Sequence, residues 1–187
     1  MSKKNLVVIG VSTGGPTTLK ALFSELPPLD AAFLVVLHIN ADMDHRIAQG
    51  LGSSALMPTA LASDGDYLKH GNIYLAPGGC HLKLDGNHRI TLVDGPRVNY
   101  VLPSVDVAML SLTRKLSGDL IGIILTGMGK DGAAGIRHMK EIGATTMAQD
   151  QKSSVIYGMP KAALETGAID FVLPPNRMAA KLVELLR

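Results

Sequence analysis

A single cysteine, Cys80, stands in the 187 residues, so no intramolecular disulfide can form, and no Cys/His spacing suggests a structural zinc site. Tryptophan is absent and aromatic residues make up only 4% of the chain, which removes the stacking platforms that bind single-stranded nucleic acid. Charge adds no partner signature. Eighteen Lys and Arg stand against 16 Asp and Glu, a net charge of +2, and the basic residues are scattered rather than gathered in a stripe; nucleic-acid binding is not expected. Hydrophobic residues reach 47%, yet no stretch approaches the ~18 uninterrupted apolar residues needed to cross a bilayer, so direct membrane insertion is not expected either. Lys3 and Lys4 before Leu6–Val11 only faintly mimic a signal peptide, because Ser12-Thr13-Gly14-Gly15 ends the run without a cleavage pattern. With one thiol and no leader, the expected compartment is the cytoplasm.

The length fits one domain, and residues 1–187 are read as such. Apolar, β-branched runs at Leu6–Val11, Phe33–Leu37, Leu120–Leu125, Thr145–Ala148 and Phe171–Leu173 alternate with segments of helical periodicity. That pattern predicts parallel strands buried on both faces by crossover helices. Helices are expected to begin near Pro16, near Ser104 as an N-cap, near Gly132, near Pro160 and near Asn176. In the middle, Ile73–Ala76, Leu82–Leu84 and Ile90–Val93 read as short strands, with Asp85-Gly86-Asn87 as a hairpin turn. The predicted fold is α/β: a doubly wound, mostly parallel sheet with flanking helices and a small antiparallel extension.

Gly10-Val11-Ser12-Thr13-Gly14 fits G-x-S-x-G between a predicted strand and helix, where a sharp turn projects a serine above the sheet. His38 ends the second strand and Asp131 follows the strand at Leu120–Leu125, so both reach the same carboxyl edge, where open α/β sheets assemble their sites. An imidazole titrates close enough to neutrality to accept a serine proton, and an aspartate can hold it in the needed tautomer. Each residue also has a structural alternative: Ser12 and Asp131 as helix caps, His38 as a hydrogen-bonded strand end. Cys80 has no activating neighbour and is expected to be inert. His45, His70, His81, His88 and His138 fall in turns or on helices, where they are expected to be solvated or locally hydrogen-bonded, with His81 facing a loop near the cleft.

Four separated blocks, Gly10-Val11-Ser12-Thr13-Gly14-Gly15, Pro103-Ser104-Val105-Asp106-Val107, the segment from Leu125 to Gly135 (LTGMGKDGAAG) and Gly158-Met159-Pro160, resemble the catalytic domain of chemotaxis protein-glutamate methylesterases, the CheB family. The resemblance spans nearly the whole chain. It implies hydrolysis of glutamate γ-methyl esters on the cytoplasmic domain of methyl-accepting chemoreceptors, with methanol as leaving group, and deamidation of particular receptor glutamines. It places Ser12, His38 and Asp131 at the family's triad positions, and Thr13 and Met128 in the active-site lining, with the Met128 backbone N–H as oxyanion donor. No metal or organic cofactor is implied.

The chain departs from the family at two places: Leu37-His38-Ile39 replaces Gln-His-Met, and Leu102 stands where an arginine precedes Pro-Ser-Val-Asp. These changes bear on substrate choice. A regulatory receiver domain, which most members carry, is not expected within 1–187. Two other functions compete: a catalytically silent module binding receptor or signalling proteins, and a nucleotide-binding domain using the first glycine-rich turn. Against the latter, there is no G-x-x-x-x-G-K-[ST], no complete G-x-G-x-x-G, and no acidic residue ending the second strand.

Overall fold

The uncharged runs Leu6–Val11, Ala32–Leu37 and Leu120–Ile124 become strands in which every residue is buried. The protein is described by a computed structural model over residues 4–113 and 118–187. Strand β1 (Leu6–Val11) leads into helix α1 (Gly15–Ser24), followed by β2 (Ala32–Leu37), α2 (Asp44–Gly52), β3 (Thr59–Leu61) and β4 (Ile73–Leu75). A hairpin of β5 (His81–Leu84) and β6 (Ile90–Val93) precedes α3 (Val105–Leu110). The chain then runs through β7 (Leu120–Ile124), α4 (Ala133–Glu141), β8 (Thr145–Gln149), α5 (Met159–Glu165), β9 (Phe171–Leu173) and α6 (Pro175–Leu185).

Seven parallel strands form one sheet in the order β3-β4-β2-β1-β7-β8-β9. Side-chain alternation sorts the core into two layers. Val7, Ile9, Val11, Phe33 and Val35 pack against Leu19, Leu22 and Phe23 of α1 and Met178 and Leu182 of α6. The intervening Leu6, Val8, Leu34 and Val36 face the other way, toward Val105 and Met109 of α3, Ile136 and Met139 of α4, and Leu82, Leu84 and Ile90 of the hairpin. Each large side chain so buried contributes roughly 1.5–3 kcal/mol, and both layers share the same strands. The chain passes from β1 to β2 and on to the edge strand β3, inserts β4 between β3 and β2, then returns to lay β7 on the opposite side of β1. The carboxyl ends of β1 and β7 therefore flank a topological switch point.

The expected long strands are found to within one residue, and helices begin next to Pro16, Ser104, Gly132, Pro160 and Asn176. Ser104 is the N-cap of α3, its hydroxyl accepting from the Val107 N–H at 3.3 Å. The antiparallel extension consists of β5 and β6, with a further antiparallel bridge between Tyr67 and Arg89. Residues 73–76, expected to belong to it, instead supply β4, which pairs in parallel with β2 (Phe33 opposite Ile73, Val35 opposite Leu75) and with β3. Strand β3 and helix α2 were not anticipated. Among the described residues no helix is long and apolar enough to cross a membrane, and no cluster of His, Cys, Asp and Glu is arranged to hold a metal ion.

Candidate active site

Ser12 directly follows β1, His38 directly follows β2, and Asp131 lies in the loop after β7, so parallel register alone brings all three to one edge. The Ser12 N–H donates to the Thr126 carbonyl at 2.9 Å and the His38 N–H to the Val11 carbonyl at 3.2 Å, which extends the sheet's bonding to these residues. Helix α3 lies close over this edge because the penultimate residue of β1, Gly10, has no side chain. A Cβ on Gly10 would sit 2.4 Å from Val105 Cγ1, so any larger residue would push the start of α3 away.

His38 Nε2 and Asp131 Oδ2 are 2.7 Å apart, with the imidazole half-buried and the carboxylate 2% exposed. Nε2 thus faces the carboxylate and Nδ1 is the ring nitrogen left to handle another proton. No hydrogen bond joins the Ser12 hydroxyl to His38 among the described residues; such contacts commonly tighten only when substrate binds.

Asp131, expected either to cap a helix or to serve the site, contacts His38 and does cap a helix, though not the one it precedes. The N-cap of α4 is Gly132, at φ 97° and without a side-chain cap. The Asp131 carboxylate instead reaches the N-terminus of α3, accepting from the backbone N–H groups of Val105 (2.6 Å) and Asp106 (3.2 Å) and from the Ser104 hydroxyl (2.8 Å). Asn99 Nδ2 adds a further donor at 2.9 Å. Burial by itself would push the Asp131 carboxyl up, but the bonds from His38, Asn99, Val105 and Ser104 outweigh it and hold the group below its ordinary value. Asp106 is its counterpart: its Oδ1 accepts from the N–H groups of Gly132 (3.0 Å) and Gly135 (2.7 Å) at the start of α4. Burial, with the Asp131 charge nearby, pushes the Asp106 carboxyl up despite those bonds.

On the other side of Ser12 a second buried network fixes the loop that follows β7. Gln149, fully buried at the end of β8, accepts from the Thr126 N–H at 2.8 Å and donates to the Ser153 carbonyl at 3.0 Å. The Thr126 hydroxyl donates to the Thr13 carbonyl at 2.9 Å and accepts from the Ile156 N–H at 3.0 Å. The Gly127 carbonyl takes the N–H groups of Gly158 (3.1 Å) and Met159 (2.8 Å). Gly158 touches this loop so closely that a Cβ there would lie 2.7 Å from the Gly127 carbonyl oxygen. With its neighbours so engaged, the Met128 N–H carries no hydrogen bond among the described residues, and the Met128 side chain is 68% exposed. Thr13 is exposed beside Ser12, and Gly127 abuts Ser12 itself.

All five residues singled out from the sequence, Ser12, His38, Asp131, Thr13 and Met128, therefore lie at the same carboxyl edge of the sheet. Asn99, Asp106, Thr126 and Gln149 were not anticipated. Only Asp106 had a local signal, two residues after the Ser104 cap, in the first turn of α3. The histidines diverge from expectation in two cases. His81 is buried, accepting from the Ser104 N–H at Nδ1 (3.1 Å) and donating from Nε2 to the Pro96 carbonyl (2.8 Å), which ties the hairpin to the start of α3. His88, expected in a solvated turn, is 2% exposed with Nε2 unpartnered, and burial pushes its imidazole down to about 4, with the Lys4 and His70 charges acting in the same direction.

A doubly wound α/β fold with serine, histidine and aspartate gathered at its switch point has the layout of a serine hydrolase. The CheB methylesterase family model matches residues 7–182. The chain belongs to that family. The crystal structure of the Thermotoga maritima CheB methylesterase catalytic domain superimposes with a TM-score of 0.93 at 38% identity, over 99% of this chain and 100% of that one. A protein-glutamate methylesterase/protein-glutamine glutaminase of Sulfurimonas denitrificans is 40% identical over 184 residues, covering 97% of this chain and 52% of that protein. The Bordetella parapertussis protein of the same name is 43% identical over 189 residues, with 99% and 54% covered. The chain spans about half the length of these curated relatives.

Proposed function

We propose that residues 1–187 are a methylesterase domain that hydrolyses glutamate γ-methyl esters, and deamidates glutamine, on the cytoplasmic domain of methyl-accepting chemoreceptors, acting in the cytoplasm. The observation that carries the reading is the 2.7 Å contact between His38 Nε2 and the ionised, multiply hydrogen-bonded Asp131, beside a serine at the switch point.

In this mechanism Asp131 fixes the proton on His38 Nε2, so Nδ1 is free to take the Ser12 proton as Ser12 Oγ attacks the ester carbonyl. The oxyanion of the tetrahedral intermediate is received by the unpartnered Met128 N–H, a type of donor whose loss costs roughly 10²–10³ in rate. Collapse expels methoxide, which leaves as methanol with the proton from His38, and a glutamyl ester remains on Ser12. Water then gives its proton to His38 and attacks; Ser12 regains the proton and glutamate is released. With a glutamine substrate, ammonia leaves in place of methanol.

The test is methanol release from methylated receptor cytoplasmic fragments by wild type and Ser12→Ala. Release by wild type, reduced by about 10³-fold or more in the variant, is expected. Equal release by both removes Ser12 from the chemistry.

A further inference from the structure

Asn99 sits on a turn that its flanking residues close tightly. Val98 and Val101 exchange both backbone hydrogen bonds, at 3.0 and 3.1 Å, and the two residues between them, Asn99 and Tyr100, have φ values of 52° and 67°. This is the two-residue hairpin geometry that needs positive φ at both central positions, for which asparagine is suited and tyrosine is not. Strain of this kind persists only where surrounding contacts hold it. Here the contacts lie on the Asn99 side chain: Nδ2 donates one hydrogen to Asp106 Oδ2 at 2.8 Å and the other to Asp131 Oδ1 at 2.9 Å.

We propose that Asn99 is a positioning residue of this site, its amide tying the Asp106 and Asp131 carboxylates together so that Asp131 stays aimed at His38; this rests on the reading of Ser12, His38 and Asp131 as a triad. Both carboxylates bond one amide nitrogen, and two like charges so near each other resist joint ionisation, which draws a proton into the space between them. The amide occupies that place with two donors that cannot be transferred. The other donors to Asp131 come from His38, Ser104 and the α3 backbone, and those to Asp106 Oδ1 from Gly132 and Gly135, so among the described residues Asn99 is the one side chain bonded to both acids. Among the described residues, the charged Lys130 and Arg137 line the same cleft of about 270 Å³ as Asn99 and Asp106. His81 stands behind, bonded through the Ser104 N–H.

The distinguishing variant is Asn99→Gly, which suits the turn better than asparagine while removing the amide; Asn99→Asp keeps the shape and adds a third carboxylate. Thermal unfolding establishes that each variant is folded. In Asn99→Gly, kcat for methanol release falls about tenfold or more with KM within twofold, as for loss of other outer hydrogen-bond partners. The acid limb of the pH profile moves up by about one pH unit, because an Asp131 carboxylate that loses a donor turns more of its charge on the His38 imidazolium, which then keeps its proton to higher pH. Asn99→Asp moves it further in the same direction. The rate of Ser12 labelling by a fluorophosphonate, which requires no receptor substrate, follows the same order. Folded Asn99→Gly with unchanged labelling rate and pH limb overturns the role of Asn99 alone. A reduced kcat with an unmoved pH limb also overturns it, since a structural defect would do that. Wild type that neither labels nor releases methanol overturns the hydrolase reading and Asn99 with it.

Discussion

Asp106 and Asp131 each cap the helix that the other belongs to or introduces. Asp131, just before α4, receives the first N–H groups of α3, and Asp106, in the first turn of α3, receives the N–H groups of Gly132 and Gly135 at the start of α4. Each helix end presents unsatisfied donors and a partial positive charge, so a carboxylate is favoured at both. The exchange welds two short helices at the point where His38 meets Asp131.

Asp131→Asn therefore injures two functions together. The carboxylate accepts from His38, Asn99, Ser104, Val105 and Asp106, so an amide nitrogen on either side must point a donor at a donor. Methanol release is expected to fall by roughly 10³–10⁴, the scale set by loss of a triad aspartate. Unfolding in urea should show a loss of about 1–3 kcal/mol.

Stability should fall on acidification through the His88 imidazole. The unfolded ring takes a proton near 6.5, whereas the folded ring, buried and unpartnered at Nε2, does so only at about 4. Between those values the unfolded state binds more protons, so the contribution is full above pH 6.5, declines as pH falls, and changes no further below about 4. The total is up to about 3 kcal/mol. His88→Asn, which tolerates the φ of 62° at that position, should flatten this part of a denaturation series run from pH 7 to 4.

Gly158→Ala tests the close packing under Met128. Its φ of −94° suits alanine, so the cost lies in contact alone: the new Cβ would press on the Gly127 carbonyl oxygen and on Gly129 N at 3.1 Å, both backbone atoms with nowhere to rotate. A loss of about 1–3 kcal/mol is expected. The Met128 N–H must shift with the loop, so kcat should fall more than KM rises.

At Tyr100, 93% exposed at φ 67°, thermal unfolding should rank the variants Gly above Tyr above Val. Left-handed backbone costs a side-chain-bearing residue about 1–2 kcal/mol, partly offset for glycine by about 0.5–1 kcal/mol of unfolded-chain entropy. A β-branched side chain fits that region worst. A reversed order would mean that the turn is not held in this conformation in solution.

The buried strands were legible because they repeat one physical requirement: a parallel strand covered on both faces reads as an unbroken apolar run, as in Leu6–Val11 and Ala32–Leu37. Asp85-Gly86-Asn87 announced the hairpin and Ser104 announced α3, both by local chemistry. Residues 59–61 and 73–75 are too short to show a period, and β4 was assigned to the hairpin because it adjoins it in sequence, while its partner β2 lies some 40 residues earlier. Ser12, His38 and Asp131 could be placed at one sheet edge because each follows a recognisable strand. The support around them was not, since Asn99, Asp106 and Gln149 act across separations of 7 to 32 residues that no local spacing encodes. His88 escaped because a turn residue is ordinarily wet, and this one is covered by the body of the protein.

The two outermost strands, β3 and β9, are three residues each, and prolines bound them: Pro58 immediately before the first and Pro174 immediately after the second. A sheet margin is a template on which another chain can add a strand, and a short margin next to a residue lacking an N–H offers little to copy. The folded protein thus blunts both of its open rims against self-association, although its interior strands are among the stickiest sequences in the chain. The hazard moves to the folding pathway, where a species that exposes Leu6–Val11 or Ala32–Leu37 before α1 and α3 have covered them is the one from which aggregation would start.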